Sequence, residues 1–139
     1  RTARTAQLWT YREAARANYQ ANSDIISGWQ WYAEPDACMS CIVQHGTIHD
    51  LDEVLDDHYN GRCAAIPVIL GDALIPETAG VDNFNAMSEA EQRAMMGDAT
   101  YDAWKSGAFD LTDLSKQVEN DTYGSMRIVP SLNDLLGVD

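Results

Sequence analysis

The spacing of three cysteines and one histidine constrains the fold of this chain more than any other feature. Cys38 and Cys41 form a C-x-x-C pair, and after sixteen further residues His58 and Cys63 form an H-x4-C pair. In structural zinc sites, two ligands from one tight turn commonly combine with two from a distant turn around a tetrahedral ion. The spacing therefore predicts a zinc site with Cys38, Cys41, His58 and Cys63 as its ligands.

Two other histidines compete with His58 for the nitrogen position of this site. His45 and His49 both follow the C-x-x-C pair closely in the sequence. We favour His58 because the Asn-Gly step after it permits a positive φ, which would fold the chain back and bring His58 beside Cys63.

The alternative to a metal site is that the three cysteines are small buried apolar side chains, as free cysteines often are. An odd number of cysteines cannot pair completely, so a disulfide framework is a poor explanation. Three sulfurs and one nitrogen would fill a tetrahedral shell and leave no position for an activated water. The predicted role of the metal is therefore structural.

The composition is that of one folded domain with a strong acidic bias. The chain has 139 residues, of which 45% are apolar and 22% charged, and its formal net charge is −13. Binding to nucleic acid or to an anionic membrane surface depends on Lys and Arg, so this charge argues against both. No run of residues approaches the ~20 apolar positions that a membrane-spanning helix needs.

Residues 1–22 differ from the rest of the chain in charge and in pattern. They contain four arginines against one glutamate, a net charge of +3, and they are rich in alanine without glycine or proline. This pattern predicts a helix over residues 2–21, ending at Asn22-Ser23. Because the first residue is Arg1, we expect the sequence to be the C-terminal part of a longer chain.

Residues 23–71 are predicted to form a small β-rich unit. Alternation around Trp29 and Trp31 indicates a strand over 29–33, and residues 47–49 fit a short second strand. The nearly continuous apolar run 63–70 fits a third strand, in which Pro67 favours an edge or a bulge.

Residues 72–139 carry a net charge of −9 and are predicted to form an acidic helical tail. Ser88 and Glu91 form a capping box for a helix that Gly97 ends. Two further helices are predicted, one capped by Asp98 and ending near Gly107 and one capped by Asp110 and ending near Val118. A last short helical turn is predicted from Pro130-Ser131 onward. The fold class is therefore α+β: an N-terminal helix, a small antiparallel β unit clasped by zinc, and the acidic tail.

Two segments of the sequence resemble a known family. The first runs D-A-C-M-S-C-I-V-Q-H-G-T and the second D-H-Y-N-G-R-C-A-A-I-P-V. They resemble the phage Mu F-type head morphogenesis (minor head) proteins of tailed bacteriophages. The matching positions are Cys38, Cys41, Gly46, His58, Asn60, Arg62, Cys63 and Pro67. The sequence departs from the family pattern at Tyr59, where proline is usual, and at Gly61, where many members have another cysteine.

The resemblance implies a virion component of low copy number that takes part in head assembly. It implies association with the portal or the major capsid protein, in the capsid interior or at the portal vertex, after assembly in the host cytoplasm. We therefore predict a structural role in head assembly without enzyme activity. The acidic charge, rather than the resemblance, predicts no direct sequence-specific nucleic-acid binding and no membrane association.

The main enzyme alternative is a zinc-supported HNH-like nuclease. Asp57-His58 after a C-x-x-C pair is similar to the start of a ββα-metal motif, but such sites need further metal ligands, and no histidine follows His58. A zinc deaminase needs H-x-E before P-C-x-x-C, which this sequence lacks. A thioredoxin-like site needs its C-x-x-C at a helix start within a βαβ unit, which the β-rich middle does not favour.

Three further groups of residues have structural interpretations. The acidic residues between positions 50 and 57 lack the spacing of a calcium loop, so they are predicted to form a solvated loop. The arginines of the first helix are predicted to face solvent, with contact to an acidic partner as the alternative. Trp29 and Trp31 are predicted to pack in the core.

Overall fold

The computed structural model describes residues 2–58, 61–77, 79–122 and 124–138. It contains helices α1 to α6, strands β1 to β5 and a 3-10 turn between α5 and β4. Their bounds are α1 Thr2–Ala21, β1 Ile26–Tyr32, α2 Met39–Gln44, β2 Ile48–His49, β3 Ala64–Ile69, α3 Ala79–Asn85, α4 Glu89–Met96, α5 Asp98–Lys105, the 3-10 turn Leu111–Leu114, β4 Lys116–Asn120, β5 Gly124–Ile128 and α6 Leu132–Leu136. The predicted α+β class is confirmed, as are the first helix and the three strands of the middle.

Strand β1 is the centre of a three-stranded antiparallel sheet with the order β2-β1-β3. Trp29 is opposite His49 on one side and Pro67 on the other. Proline has no N–H to donate to a ladder, so its place in an edge strand follows from its chemistry and agrees with the prediction. Helix α1 is attached to this sheet through the Tyr19 hydroxyl, which donates to the carbonyl of Ala65 at 3.0 Å.

Gln30 is a buried polar residue that ties the central strand to two loops. Its side chain is fully buried. The amide Nε2 donates to the carbonyls of Gly46 (2.8 Å) and Ile75 (2.5 Å), and Oε1 accepts the N–H of Ile75 at 3.0 Å. One side chain therefore satisfies three backbone groups, of which the Gly46 carbonyl is buried and the two of Ile75 are half-buried.

We expect Gln30→Leu to lower the free energy of unfolding by about 2–4 kcal/mol, because it removes the partner of one buried and two half-buried backbone groups. Gln7→Leu makes the same chemical change at an exposed position of α1 and should change stability by less than about 0.5 kcal/mol. Urea unfolding of both variants measures the difference. Equal effects of the two substitutions would show that the contacts of Gln30 do not stabilise the fold.

The described residues form two hydrophobic clusters on opposite sides of α2. One contains Met39, Ile42, Val43, Phe84, Phe109, Leu111 and Leu114. The other contains Trp29, Trp31, Ala33, Cys41, Leu55 and Cys63, so the two tryptophans are core residues as predicted. Helix α3 packs closely on α2 at Gly80, where a Cβ atom would overlap the carbonyl oxygen of Ile42.

The tail is only partly as predicted. The capping box of α4 is confirmed, with the Glu91 carboxylate accepting the N–H of Ser88 at 2.9 Å. Asp98 is the first residue of α5, and Gly97 occupies the cap position that was predicted for Asp98. The short helix from Leu132 is confirmed.

The predicted helix from Asp110 to Val118 is wrong. Asp110 does form a capping box with Asp113, but it begins only the 3-10 turn Leu111–Leu114. The chain then forms an antiparallel hairpin, β4–β5, in which Val118 is opposite Met126. Val118 is the one apolar residue of β4, so the sequence of this strand shows no alternation of apolar and polar residues. The strand is stabilised by packing of Val118 against the buried Met126 of β5, which the sequence pattern does not show.

Asp56 attaches this hairpin to the middle of the chain. Its carboxylate accepts bonds from Arg127 Nε at 3.0 Å and from Gln117 Nε2 and the Ser125 hydroxyl, both at 2.9 Å. Asp56 is 4% exposed. The prediction of a solvated acidic loop is therefore wrong at this residue, because three donors from the hairpin replace water around the carboxylate.

Candidate metal centre

The C-x-x-C pair lies at the N-terminal end of α2. Cys38 is the N-cap residue with extended backbone angles, and its carbonyl accepts the N–H groups of Cys41 at 3.0 Å and Ile42 at 2.9 Å. This first turn places the two cysteine side chains on the same side of the helix start. Cys41 is buried and Cys38 is half-buried, so the pair lies at the edge of the core.

His58 approaches this pair from the loop before β3. Its Nε2 lies 3.0 Å from the Sγ of Cys38. The ligand atoms of Cys38, Cys41 and His58 all lie within 4.8 Å of one another. Zinc–sulfur bonds of about 2.3 Å and zinc–nitrogen bonds of about 2.0 Å give ligand–ligand separations of roughly 3.5–3.8 Å in a tetrahedron. The three side chains therefore lie close enough together to hold a metal ion.

Cys63, the fourth predicted ligand, lies against Cys41 but outside this group of three. It precedes β3 directly and is 5% exposed. Its thiol interacts with that of Cys41, and both residues line the same small cleft of about 160 Å³ as Cys38 and His58. The structure thus brings three of the four predicted residues together and places the fourth beside one of them.

The thiols of the C-x-x-C pair have opposite pKa shifts. A hydrogen bond from Cys41, together with the nearby His58, lowers the pKa of Cys38 to about 4. Hydrogen bonds to Cys38 and Cys63, together with burial of the site, raise the pKa of the Cys41 thiol. Metal binding requires thiolates, so loading this site would be coupled to proton release.

The two competing histidines lie elsewhere and have other partners. Nδ1 of His45 accepts the N–H of Ala33 at 3.0 Å. His49 bonds to Thr47 at 2.8 Å through Nε2 and to Glu53 at 2.6 Å through Nδ1, and its ring stacks on Trp29 at 4.4 Å. Among the described residues, the group of ligands close enough to share a metal contains neither of them.

Sequence reasoning missed the most deeply buried ion pair next to the centre. Asp57, directly before His58, is fully buried and pairs with Arg12 of α1 at 2.5 Å and 3.0 Å. Burial raises the pKa of Asp57, and the Arg12 guanidinium opposes that shift. Asp57 and Arg12 were predicted to be solvated, and both predictions are wrong. No local signal could have paired them, since 45 residues separate the two.

Gly61 is required here for space. The predicted positive φ of the Asn-Gly step falls partly on Asn60, which lies outside the described residues. A Cβ atom at Gly61 would overlap the carboxylate of Asp57. Tyr59 and Asn60, which also belong to the motif, lie outside the described residues.

Comparisons with known proteins give no independent assignment. No protein-family model matches the chain, and neither a curated protein nor a solved structure does. A separate search of the described helices found none that is long and apolar enough to cross a membrane.

Proposed function

We propose that this protein is a structural, non-catalytic component whose middle is held together by one Zn2+ ion. The ion binds Cys38, Cys41 and His58, and Cys63 moves from its position beside Cys41 to complete the shell. The observation that carries the proposal is the convergence of three ligand atoms from two distant segments within 4.8 Å. The start of α2 and the loop before β3 are connected by loops with few regular hydrogen bonds. A shared metal ion would therefore keep these two segments together.

Zinc is the metal that suits this set of ligands. Soft thiolates combined with an imidazole in a tetrahedral arrangement favour Zn2+, whereas Mg2+ and Ca2+ prefer oxygen ligands. Four protein ligands would close the shell and exclude a metal-bound water. This supports a structural role for the ion.

The surroundings of the site support this role over the nuclease alternative. In an HNH-like nuclease the residues next to the metal must reach a phosphate and a water. Here Asp57 is enclosed by Arg12 and by the N–H of Cys63 at 3.3 Å. The net charge of −13 also disfavours binding to DNA, which depends on Lys and Arg.

The setting that we propose is the head of a tailed bacteriophage, with the portal or the major capsid protein as partner. It rests on the resemblance of the two cysteine-containing segments to minor head proteins. The tail also carries apolar side chains that a partner could cover, because Ile128, Val129, Leu136 and Val138 are each more than a third exposed. The acidic charge would also keep the protein from being trapped on packaged DNA.

A series of histidine variants tests the metal site. We expect the purified chain to contain one zinc ion, His58→Ala to lose it, and His45→Ala and His49→Ala to retain it. Zinc per chain, measured by inductively coupled plasma mass spectrometry, decides the outcome. Zinc retained by His58→Ala, or lost only from one of the other two variants, would contradict the ligand set.

The proposed setting is tested separately. Mass spectrometry of purified particles of the phage that encodes this chain should detect it at low copy number, and the isolated protein should not bind duplex DNA at physiological salt. Absence from particles would contradict the head assignment, and tight DNA binding would contradict the argument from charge.

A further inference from the structure

We propose that Arg12 is a positioning residue of the metal centre, so that helix α1 helps to set the affinity for the metal. This inference rests on the proposed zinc site and assigns it a part that the cysteine motif does not contain. Arg12 is not one of the four proposed ligands. It binds the Asp57 carboxylate and the backbone carbonyls of Gly61 and Cys63, in the segment that carries the proposed ligands His58 and Cys63.

The contacts of Arg12 join residues before and after the gap at residues 59 and 60, namely Asp57, Gly61 and Cys63. Its guanidinium donates to both carboxylate oxygens of Asp57 at 2.5 and 3.0 Å, to the carbonyl of Gly61 at 3.1 Å and to that of Cys63 at 2.7 Å. Only 9% of the Arg12 side chain is exposed, and Asp57 is fully buried. A planar, forked donor can bind several acceptors at once in a fixed geometry, which a lysine cannot do.

These contacts fix Asp57, directly before the ligand His58, and the backbone of the ligand Cys63. Asp57 precedes His58, and its Oδ2 also accepts the N–H of Cys63 at 3.3 Å. The same carboxylate occupies the space beside Gly61 that a side chain would fill. Arg12, Asp57 and Gly61 therefore bring the start and the end of the turn to one point, which sets the separation of His58 and Cys63.

The neighbouring residue Asp56 provides a matched control. It faces the opposite way and pairs with Arg127 of the hairpin at 3.0 Å, with 6% of its side chain exposed. Arg127 donates to no residue of the turn beyond Asp56 among the described contacts. Removing Arg127 therefore breaks a buried ion pair in the same loop without releasing the turn that carries His58 and Cys63.

The experiment compares Arg12→Met with Arg127→Met in the full chain, with Zn2+ and Co2+ as probes. Groups that orient metal ligands typically contribute about 10–100-fold to metal affinity. We expect Arg12→Met to weaken zinc binding by about this factor in competition with a chelator, and to change the absorption bands of the Co2+-loaded protein. Arg127→Met should weaken zinc binding by less than about threefold and leave the Co2+ spectrum unchanged.

The Co2+ spectrum separates positioning from general stabilisation, because it reports the ligand geometry of the loaded protein. Equal losses of zinc affinity in the two variants, with Co2+ spectra identical to that of the wild type, would overturn the inference and leave the zinc site standing. A wild-type chain that binds neither ion would instead refute the proposed function itself.

A second variant reaches the same contact from the other side of the turn. Gly61→Ala leaves Arg12 and helix α1 unchanged but displaces the Asp57 carboxylate. It should weaken zinc binding in the same range as Arg12→Met, and it serves as the test if Arg12→Met does not fold. Wild-type affinity and an unchanged Co2+ spectrum in Gly61→Ala would contradict the positioning role.

Discussion

Removal of the metal is expected to lower the melting temperature of this protein by at least about 15 °C. Structural zinc sites in small peptides contribute roughly 10–16 kcal/mol of apparent binding free energy, as much as the whole stability of a typical domain. Even a loss of about 5 kcal/mol corresponds to a fall of about 15–20 °C for a domain of this size. The cluster of Cys38, Cys41 and His58 links α2 to the loop before β3, so both segments should loosen together.

Thermal unfolding followed by circular dichroism, before and after treatment with a chelator, measures this effect. The matched control is Cys38→Ala, which should begin with the lower melting temperature and show no further fall on chelation. Cys63→Ala should behave in the same way if Cys63 completes the shell. A stripped wild-type chain that melts within a few degrees of the untreated one would contradict the structural role of the metal.

Phe84→Ala is expected to destabilise the protein by about 3–5 kcal/mol without changing the metal centre. Phe84 is fully buried in the cluster formed by α2, α3 and the 3-10 turn, and its ring lies 5.6 Å from that of Trp104. That cluster is on the side of α2 away from Cys41, so the cavity should not reach the ligands. Ile48→Ala, at a position that is 42% exposed, is the control and should cost less than about 1 kcal/mol.

Chemical denaturation of the zinc-loaded variants gives the two free energies, and the Co2+ spectrum reports the centre. An altered spectrum in Phe84→Ala would show that the two hydrophobic clusters are not independent across α2. A loss of stability no greater than that of Ile48→Ala would show that the cluster around Phe84 contributes little to the fold.

The parts of the fold that depend on local chemistry could be predicted from the sequence. The alanine-rich helix α1, the alternation around Trp29, and the capping box of Ser88 and Glu91 each have a signal within a few residues. The C-x-x-C spacing indicated that Cys38 and Cys41 could share a metal, but the helix α2 that begins at this pair was not predicted.

The parts that depend on distant partners could not be predicted. Strand β4 has one partly buried apolar residue, Val118, and it is a strand because β5 pairs with it and Asp56 holds the pair. The burial of Asp57 likewise depends on Arg12, a residue of another element. A buried acidic residue cannot be told from a solvated one by sequence when its basic partner is distant in the chain, because the fold alone brings the two together.

The same limit applies within the candidate site. The choice of His58 over His49 could be favoured from its position near Cys63, but the reason that His49 is absent from the cluster is its stacking on Trp29 and its bond to Glu53. The position of Cys63 beside Cys41, outside the group of three, likewise depends on how β3 begins. Spacing identified the candidate ligands, and tertiary packing arranged them.

X-ray absorption spectroscopy at the zinc edge of the zinc-loaded chain tests the central claim most directly. We predict one zinc per chain with sulfur ligands at about 2.3 Å and one imidazole nitrogen at about 2.0 Å. Three sulfurs in the fitted shell would place Cys63 with Cys38 and Cys41. A shell of oxygen and nitrogen without sulfur, or a chain that retains no zinc, would contradict the account.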